Sequence, residues 1–408
     1  MKILILAHFY PPEMGGAGAR LHGLSRWMAD QGHDVTVIAG FPNYPAGKFP
    51  DEYKGKLKAF ETRDGVNVIR TWVYATPKRS SIRRILNYLS FTLASTLAGL
   101  VTRRKFDVVL ASSPPLFLGL SGWIIGRLRR IPFVFDIRDI WPEVAVEAGE
   151  FAPDGTVTRL AERLAKFIYK RADFITPVTE NKLKKLVVTG VPAEKMTVVT
   201  NGVDLDYVET AVTTDLRQEL NLQDKFIILY AGLLGIAQGV DIAVRAADIL
   251  RGQKNIHFVI VGEGVKRDEL MQKIETLQLQ NVTMLPRQPR EKIPSFLRAS
   301  NVSLVPLVSS NINDAVPSKL LEAWAYSRPV ILSAGGEAAD IVNNNQGGLV
   351  ITPGDAEQLA ESIRYLVENP QACDTFAING HELVRNCYDR RILAKQMTQV
   401  LQRAVQEQ

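Results

Sequence analysis

The chain has 408 residues, too many for one ordinary core, and its 46% hydrophobic and 23% charged residues are those of a globular protein. Two cysteines, Cys373 and Cys387, and five scattered histidines give no disulfide framework and no metal-ligand spacing, so neither a stapled mini-domain nor a metal cluster is expected. The net charge of +6 is uneven: residues 1–200 hold 29 Lys+Arg against 18 Asp+Glu (+11), the rest 20 against 25 (−5), which suits the first half to an anionic surface.

Residues 2–7 form a short apolar run that ends at His8 without a small-residue cleavage site, so they read as a buried strand and not a signal peptide. A Pro/Gly loop, a helix over 17–31 and a second strand at 35–39 follow. The rhythm continues with strands at 67–71, 108–111, 133–136, 174–177 and 197–200. Residues 201–222 are polar and aperiodic, which reads as a linker. Strands then restart at 226–231, 257–261, 282–285, 302–306, 329–332 and 349–351. Short apolar runs alternating with amphipathic helices predict an α/β protein with parallel sheets. The expected layout is two doubly wound, Rossmann-like domains, 1–200 and 223–388, facing across a cleft, with ligands at the carboxyl ends of the strands. A final helix lies within 389–408.

Several loops carry chemistry. Phe9-Tyr-Pro-Pro-Glu13-Met-Gly15-Gly16-Ala-Gly18-Ala-Arg20 follows the first strand, where glycines let the backbone approach a ligand at a helix N-terminus. Its spacing is not that of a dinucleotide fingerprint, and an ordinary glycine-rich loop explains it equally well. Residues 41–47, with Asn43 and Tyr44, lie past the second strand and read either as acceptor contacts or as a rigid turn. Asp136-Ile-Arg138-Asp139-Ile-Trp-Pro-Glu143 places polar groups at a strand end. There Arg138 suits a phosphate and Asp139 or Glu143 a sugar hydroxyl, with internal salt bridges as the rival reading.

In the second half, residues 230–241 hold Gly235 and Gln238, and Asp204-Leu-Asp206 reads as a turn and not a metal site. Asp314 stands eight positions before Glu322, and a helix is expected to open at Pro317. The backbone amides of Ser318 and Lys319 would face a phosphate, and Glu322 could accept both hydroxyls of a ribose. Residues 78–105 have basic ends around the uncharged run 85–101, too polar to span a bilayer. They suit a helix lying on anionic lipid or one buried on one face, and Arg127, Arg129 and Arg130 add charge nearby.

Asp314 with Glu322, Gly15-Gly16, Asn201-Gly-Val-Asp204 and Val261-Gly-Glu-Gly264 occur in an order that resembles the retaining glycosyltransferases of family 4, over about residues 1–400. The resemblance implies the GT-B fold, with the last helix crossing back to the first domain. It implies that Gly15 and Gly16 face the donor phosphates and acceptor. The chain differs from many members in lacking an Arg and a Lys, at positions aligned with Leu233 and Gln238, and in having Asp314 where Glu is usual. A subgroup with Gly-x-x-Gly-x-x-Gln-Gly looks similar, and there backbone N–H groups from Gly235 on, with Gln238, would hold the diphosphate; Lys319 and Arg138 are the expected replacements for the missing charges.

The expected activity is a metal-independent retaining transfer from a nucleotide-sugar, with UDP as default base and an N-acetylated deoxyhexose as one candidate sugar. Asp314 would hold the donor sugar and Glu322 the ribose, with Asp139 the third catalytic candidate. No cofactor or metal is expected. No carboxylate presents itself as a covalent nucleophile, so a same-face substitution suits the residues better than a double displacement. Residues 41–47 and 136–143 look like a bacterial surface-polysaccharide subgroup (O-antigen, capsule or exopolysaccharide). That likeness implies a lipid-diphosphate-linked saccharide acceptor at the cytoplasmic face of an anionic membrane, and no nucleic acid. The alternatives are a GT-B nucleotide-sugar epimerase and a non-catalytic membrane scaffold on a transferase fold.

Overall fold

A computed structural model describes residues 1–13, 16–44, 46–78, 80–147, 149, 151–308 and 313–408. Gly15 therefore lies outside the described residues. The chain divides into two units, one of residues 1–201 with 390–408 and the other of residues 202–389.

The first unit carries a seven-stranded sheet. Its strands are β1 (Lys2–Ala7), β2 (Asp34–Gly40), β3 (Lys58–Arg63), β4 (Val66–Thr71), β5 (Val108–Ser113), β6 (Phe133–Ile137) and β7 (Phe174–Pro177). They lie in the order β3-β4-β2-β1-β5-β6-β7. All pairs are parallel except β3–β4, an antiparallel edge that the apolar runs did not reveal because β3 is half exposed. β1 is buried from Ile3 to Ala7, as a central strand covered on both faces must be. Residues 197–200, expected as a strand, only partly pair with β7: Thr197 and Val199 donate to Ile175 and Pro177. The carbonyls of Val199 and Thr200 accept from the Arg20 guanidinium. The last helix, Arg390–Gln406, belongs to this unit and buries Leu393, Met397 and Leu401 in the same cluster as Ile3, Leu24 and Val35.

The second unit has a six-stranded parallel sheet. Its strands are β8 (Phe226–Ala231), β9 (Ile256–Val261), β10 (Val282–Leu285), β11 (Val302–Pro306), β12 (Val330–Ser333) and β13 (Gly348–Ile351), in the order β10-β9-β8-β11-β12-β13. Residues 201–222, read as a linker, are not structureless. They form the helices Leu205–Thr210 and Leu216–Glu219, and Val203, Leu205, Val208, Leu216 and Leu222 are buried in this unit's core. The apolar residues are too widely spaced to show a period, yet each docks on the domain that follows. Asp204 caps the first of these helices by accepting from the Tyr207 amide, which is a structural role for half of the Asp-x-Asp pair.

In both sheets the strand order reverses beside the first strand of the unit, β1 or β8, and ligands of such sheets gather at the carboxyl ends near that point.

Candidate active site

In the second unit the site grows from the end of β8. Gly232 follows that strand with φ +156°, and a Cβ built there would lie 2.2 Å from Cε of Lys319. Gly232 is thus a notch through which the Lys319 side chain runs. The ammonium rests 5.4 Å from the Tyr230 ring centre, a cation–π distance. Burial holds its pKa below the usual lysine range, with Glu322 pulling the other way. The loop after β9 presses equally close: a Cβ on Gly262 would stand 1.9 Å from the Gly232 carbonyl oxygen. Hydrogen bonds from Gly232 to Val261 and from Leu234 to Glu263 seal the two loops together, 2.8 Å each.

Gln238 closes a short turn, Ile236–Gln238, and its side chain folds over Gly235, where an added Cβ would meet Oε1 at 2.4 Å. Val308 donates to the Ala237 carbonyl (3.1 Å), which ties the loop after β11 to this turn. The helix Ser318–Ala325 begins one residue later than the sequence suggested. Pro317 is its extended N-cap, with ψ 133°, because its ring fixes φ while its carbonyl already serves the Leu320 amide. The first-turn amides of Ser318 and Lys319 have no intrahelical acceptor by construction. Glu322 is exposed one turn further on, and Asp314 is half-buried in the preceding loop. Gly235, Gln238, Ser318, Lys319, Asp314 and Glu322 thus come from loops and a helix start that all follow strand ends of one sheet.

Tyr207 and Tyr326 escaped the sequence reading. Both feel the Glu322 carboxylate, although burial is the larger cause of their raised pKa values, to about 12 for Tyr326. Arg290 stacks on Tyr207 at 5.0 Å and Arg298 on Tyr326 at 5.9 Å, so Glu322 stands beside an aromatic and cationic wall. Tyr326, four residues beyond Glu322, was within reach of helical spacing, but Tyr207 and Arg290 are far away in the chain and no local pattern could have revealed them.

In the first unit, Gly16 opens the helix Gly16–Asp30 with open space at its Cβ position. Glu13 is buried, and its Oε1 accepts from the Asn43 and Tyr44 amides at 2.7 and 2.8 Å. Burial raises the pKa of this carboxyl, and the two amides oppose that shift. Arg70, wholly buried, ties the same two loops by donating to the carbonyls of Tyr10, Pro11 and Gly40. Glu13 sat in plain view beside Gly15-Gly16, but nothing in the sequence linked it to residues 43–44.

The cluster 136–143 divides. Asp136 is buried and pairs with Arg20 at 2.9 Å, and it accepts from Ser112 (2.8 Å) and Thr176 (3.1 Å). That is a structural salt bridge, and removing one partner would strand a buried charge at about 3–5 kcal/mol. Arg138, read as a phosphate ligand, donates to Ser112 Oγ at 3.2 Å and to the Pro114 carbonyl at 3.1 Å. Burial lowers its pKa, with Asp136 and Asp139 opposing. Asp139 is half-buried. Glu143 pairs with Lys185 at 2.5 Å, a half-exposed ion pair worth under about 1 kcal/mol.

The helix Ser81–Val101 has two faces. Phe91, Ser95 and Ala98 are buried, while Ile82, Leu86, Leu89, Leu93, Leu97 and Val101 form one exposed apolar row. Arg129, expected to add surface charge, instead donates to the carbonyls of Leu100, Thr102 and Arg104 and so caps the helix end.

Two family models account for most of the chain. "Glycosyl transferase 4-like domain" matches residues 15–202 and "Glycosyl transferases group 1" matches residues 212–383. Among curated relatives, the putative colanic acid biosynthesis glycosyl transferase WcaI of Escherichia coli is 27% identical over 97% of each chain. The amylovoran biosynthesis glycosyltransferase AmsK of Erwinia amylovora is 24% identical over 92% of this chain and 93% of its own. Among solved structures, Anabaena HepE in complex with UDP-glucose superposes with TM-score 0.73 at 20% identity, covering 98% of this chain and 99% of that one. The sucrose-phosphate synthase of Thermosynechococcus elongatus gives 0.77 at 20%, covering all of both chains.

Proposed function

The chain belongs to the group 1, family 4-like glycosyltransferases, and from that premise we propose that it transfers a sugar with retention from a UDP-sugar to a lipid-linked saccharide in bacterial surface-polysaccharide assembly. The observation that carries the donor half is the Lys319 side chain passing the Gly232 notch at the start of a helix whose second turn bears Glu322. The diphosphate would lie against the Ser318 and Lys319 amides, the Lys319 ammonium and the Gly235–Gln238 turn. The ribose would lie on Glu322 and the donor sugar near Asp314. As the C1–O bond weakens, charge builds on the diphosphate, and fixed amides with one desolvated cation stabilise it there. The leaving phosphate would help deprotonate the acceptor hydroxyl on the same face. The occurrence of WcaI and AmsK among the relatives supports the polysaccharide setting, and HepE bound to UDP-glucose supports the base.

On this reading Gly15, Gly16, Asn43, Tyr44, Asp139 and Glu143 serve the acceptor side. Arg138 contributes through Ser112, which it already holds, more than as a free phosphate clamp. No metal is required, because the cationic work falls to Lys319 and the helix amides. Turnover of a UDP-sugar should therefore persist in excess EDTA. Complete loss, restored by magnesium, would instead assign a metal to the reaction.

The exposed row of the helix Ser81–Val101 suits a peripheral seat on the cytoplasmic face of an anionic membrane. Among the described residues no helix is long and apolar enough to cross one. Neutralising Arg83, Arg103, Lys105, Arg127 and Arg130 together should release the protein from anionic vesicles at low salt, since screening weakens such attraction. Indifference of the unaltered protein to such vesicles would show that the apolar row has another use. Donor turnover itself, tested with a panel of UDP-, GDP- and dTDP-sugars, separates a transferase from a scaffold.

A further inference from the structure

We propose that Phe9 and Tyr44 form an aromatic corner that receives a pyranose ring of the acceptor, and that Glu13 is the residue that positions it. This rests on the transferase reading and names a subsite within it.

Tyr44 leaves 59% of its surface exposed on a loop that is otherwise fastened down. Its ring meets Phe9 at 5.9 Å with the planes 61° apart, so the two make a corner and not a flat stack. Phe9 is backed in turn by His8, edge-on at 4.4 Å, and His8 is wedged against Tyr88 and Phe91 at 5.3 and 4.8 Å. The corner is therefore rigid on its inner side and open on its outer side. A loop tip that merely turned the chain would have no reason to be held so firmly. Glu13 takes the consecutive amides of Asn43 and Tyr44 on one carboxylate oxygen, and Arg70 ties the carbonyls of Tyr10 and Pro11 to that of Gly40.

The ligand class follows from the chemistry. A pyranose offers a face of C–H groups to an aromatic ring and hydroxyls around its edge. The Asn43 side-chain nitrogen donates to the Phe41 carbonyl at 2.9 Å, which leaves its side-chain oxygen to accept from a hydroxyl. Glu13 itself is buried under the loop, so it acts through Asn43 and Tyr44 and not on the sugar.

Saturation-transfer NMR with a panel of methyl glycosides of glucose, galactose, N-acetylglucosamine and fucose tests this, with UDP titrated in parallel. The unaltered protein should bind at least one glycoside. Tyr44→Ala should weaken that binding about fivefold or more, while Tyr44→Phe, which keeps the ring, stays within about twofold. Glu13→Ala should reproduce the Tyr44→Ala loss, and Glu13→Gln, which keeps an acceptor oxygen, should not. UDP affinity should be the same in all four variants. Glycoside binding that is absent in the unaltered protein, or untouched by Tyr44→Ala, overturns the corner whether or not UDP binds. Glycoside binding without any UDP binding would instead overturn the donor assignment and leave the corner standing. If Glu13→Ala does not fold, the Tyr44 pair and Glu13→Gln still decide the matter, since loss in Glu13→Gln with unchanged melting contradicts positioning through a shared acceptor oxygen.

Discussion

Lys319→Met is expected to lower turnover of a UDP-sugar about a hundred- to a thousand-fold, the cost of removing one preorganised charge from a developing anion. Methionine keeps an apolar stem to run past the Gly232 notch, so the loss reports the ammonium and not the packing. Gly232→Ala should act almost as severely without touching a charge. Its Cβ would stand 2.2 Å from Cε and 2.7 Å from Nζ of Lys319, and the lysine would have to leave the notch. At φ +156° the alanine is strained as well. The decisive quantity is the double variant. If Gly232 acts through Lys319, the two losses should fail to add, as expected for residues in contact. Additive losses would mean that Gly232 serves the loop and not the lysine.

The second large effect is a split between two carboxylates. Glu322→Ala should weaken UDP binding about 10- to 150-fold, the equivalent of about 1.5–3 kcal/mol for a charged hydrogen-bond partner. Asp314→Ala should leave UDP affinity near its starting value and lower turnover instead. Position is the reason: Glu322 stands on the helix beside Tyr207 and Tyr326, where a ribose does not react, whereas Asp314 lies in the loop that would face the sugar. Calorimetric titration with UDP and initial rates on both variants check the split. Unchanged binding and turnover in both would remove these residues from the site.

Much of this architecture was legible in the chain because its strands are buried on both faces. A run such as Lys2–Ala7 or Ile256–Val261 admits little else, and both sheets followed from such runs. What hid was whatever depends on a partner distant in sequence. β3 is visible only through β4, and residues 203–222 look polar until Val203, Leu205 and Leu216 are set into the core they cover. The site shows the same division. Asp314, Ser318, Lys319 and Glu322 share one short segment, and local spacing brings them together. Gly232 as the lysine's notch, Glu13 as the clamp on Asn43 and Tyr44, and Tyr207 beside Glu322 each join segments 30 to more than 100 residues apart. Arg138 and Arg129 show the converse: a basic residue at a strand or helix end invites an anion, yet each already commits part of its guanidinium to nearby oxygens of its own unit.

Thermal unfolding of the unaltered protein with UDP, GDP and dTDP, in EDTA, bears most directly on the donor site. UDP at a hundred times its dissociation constant should stabilise the folded chain by about 2.7 kcal/mol, and Glu322→Ala should lose about half to nine-tenths of that shift at the same concentration. Unfolding unmoved by any of the three nucleotides, or moved equally in Glu322→Ala, would contradict the donor site built here around Lys319 and Glu322.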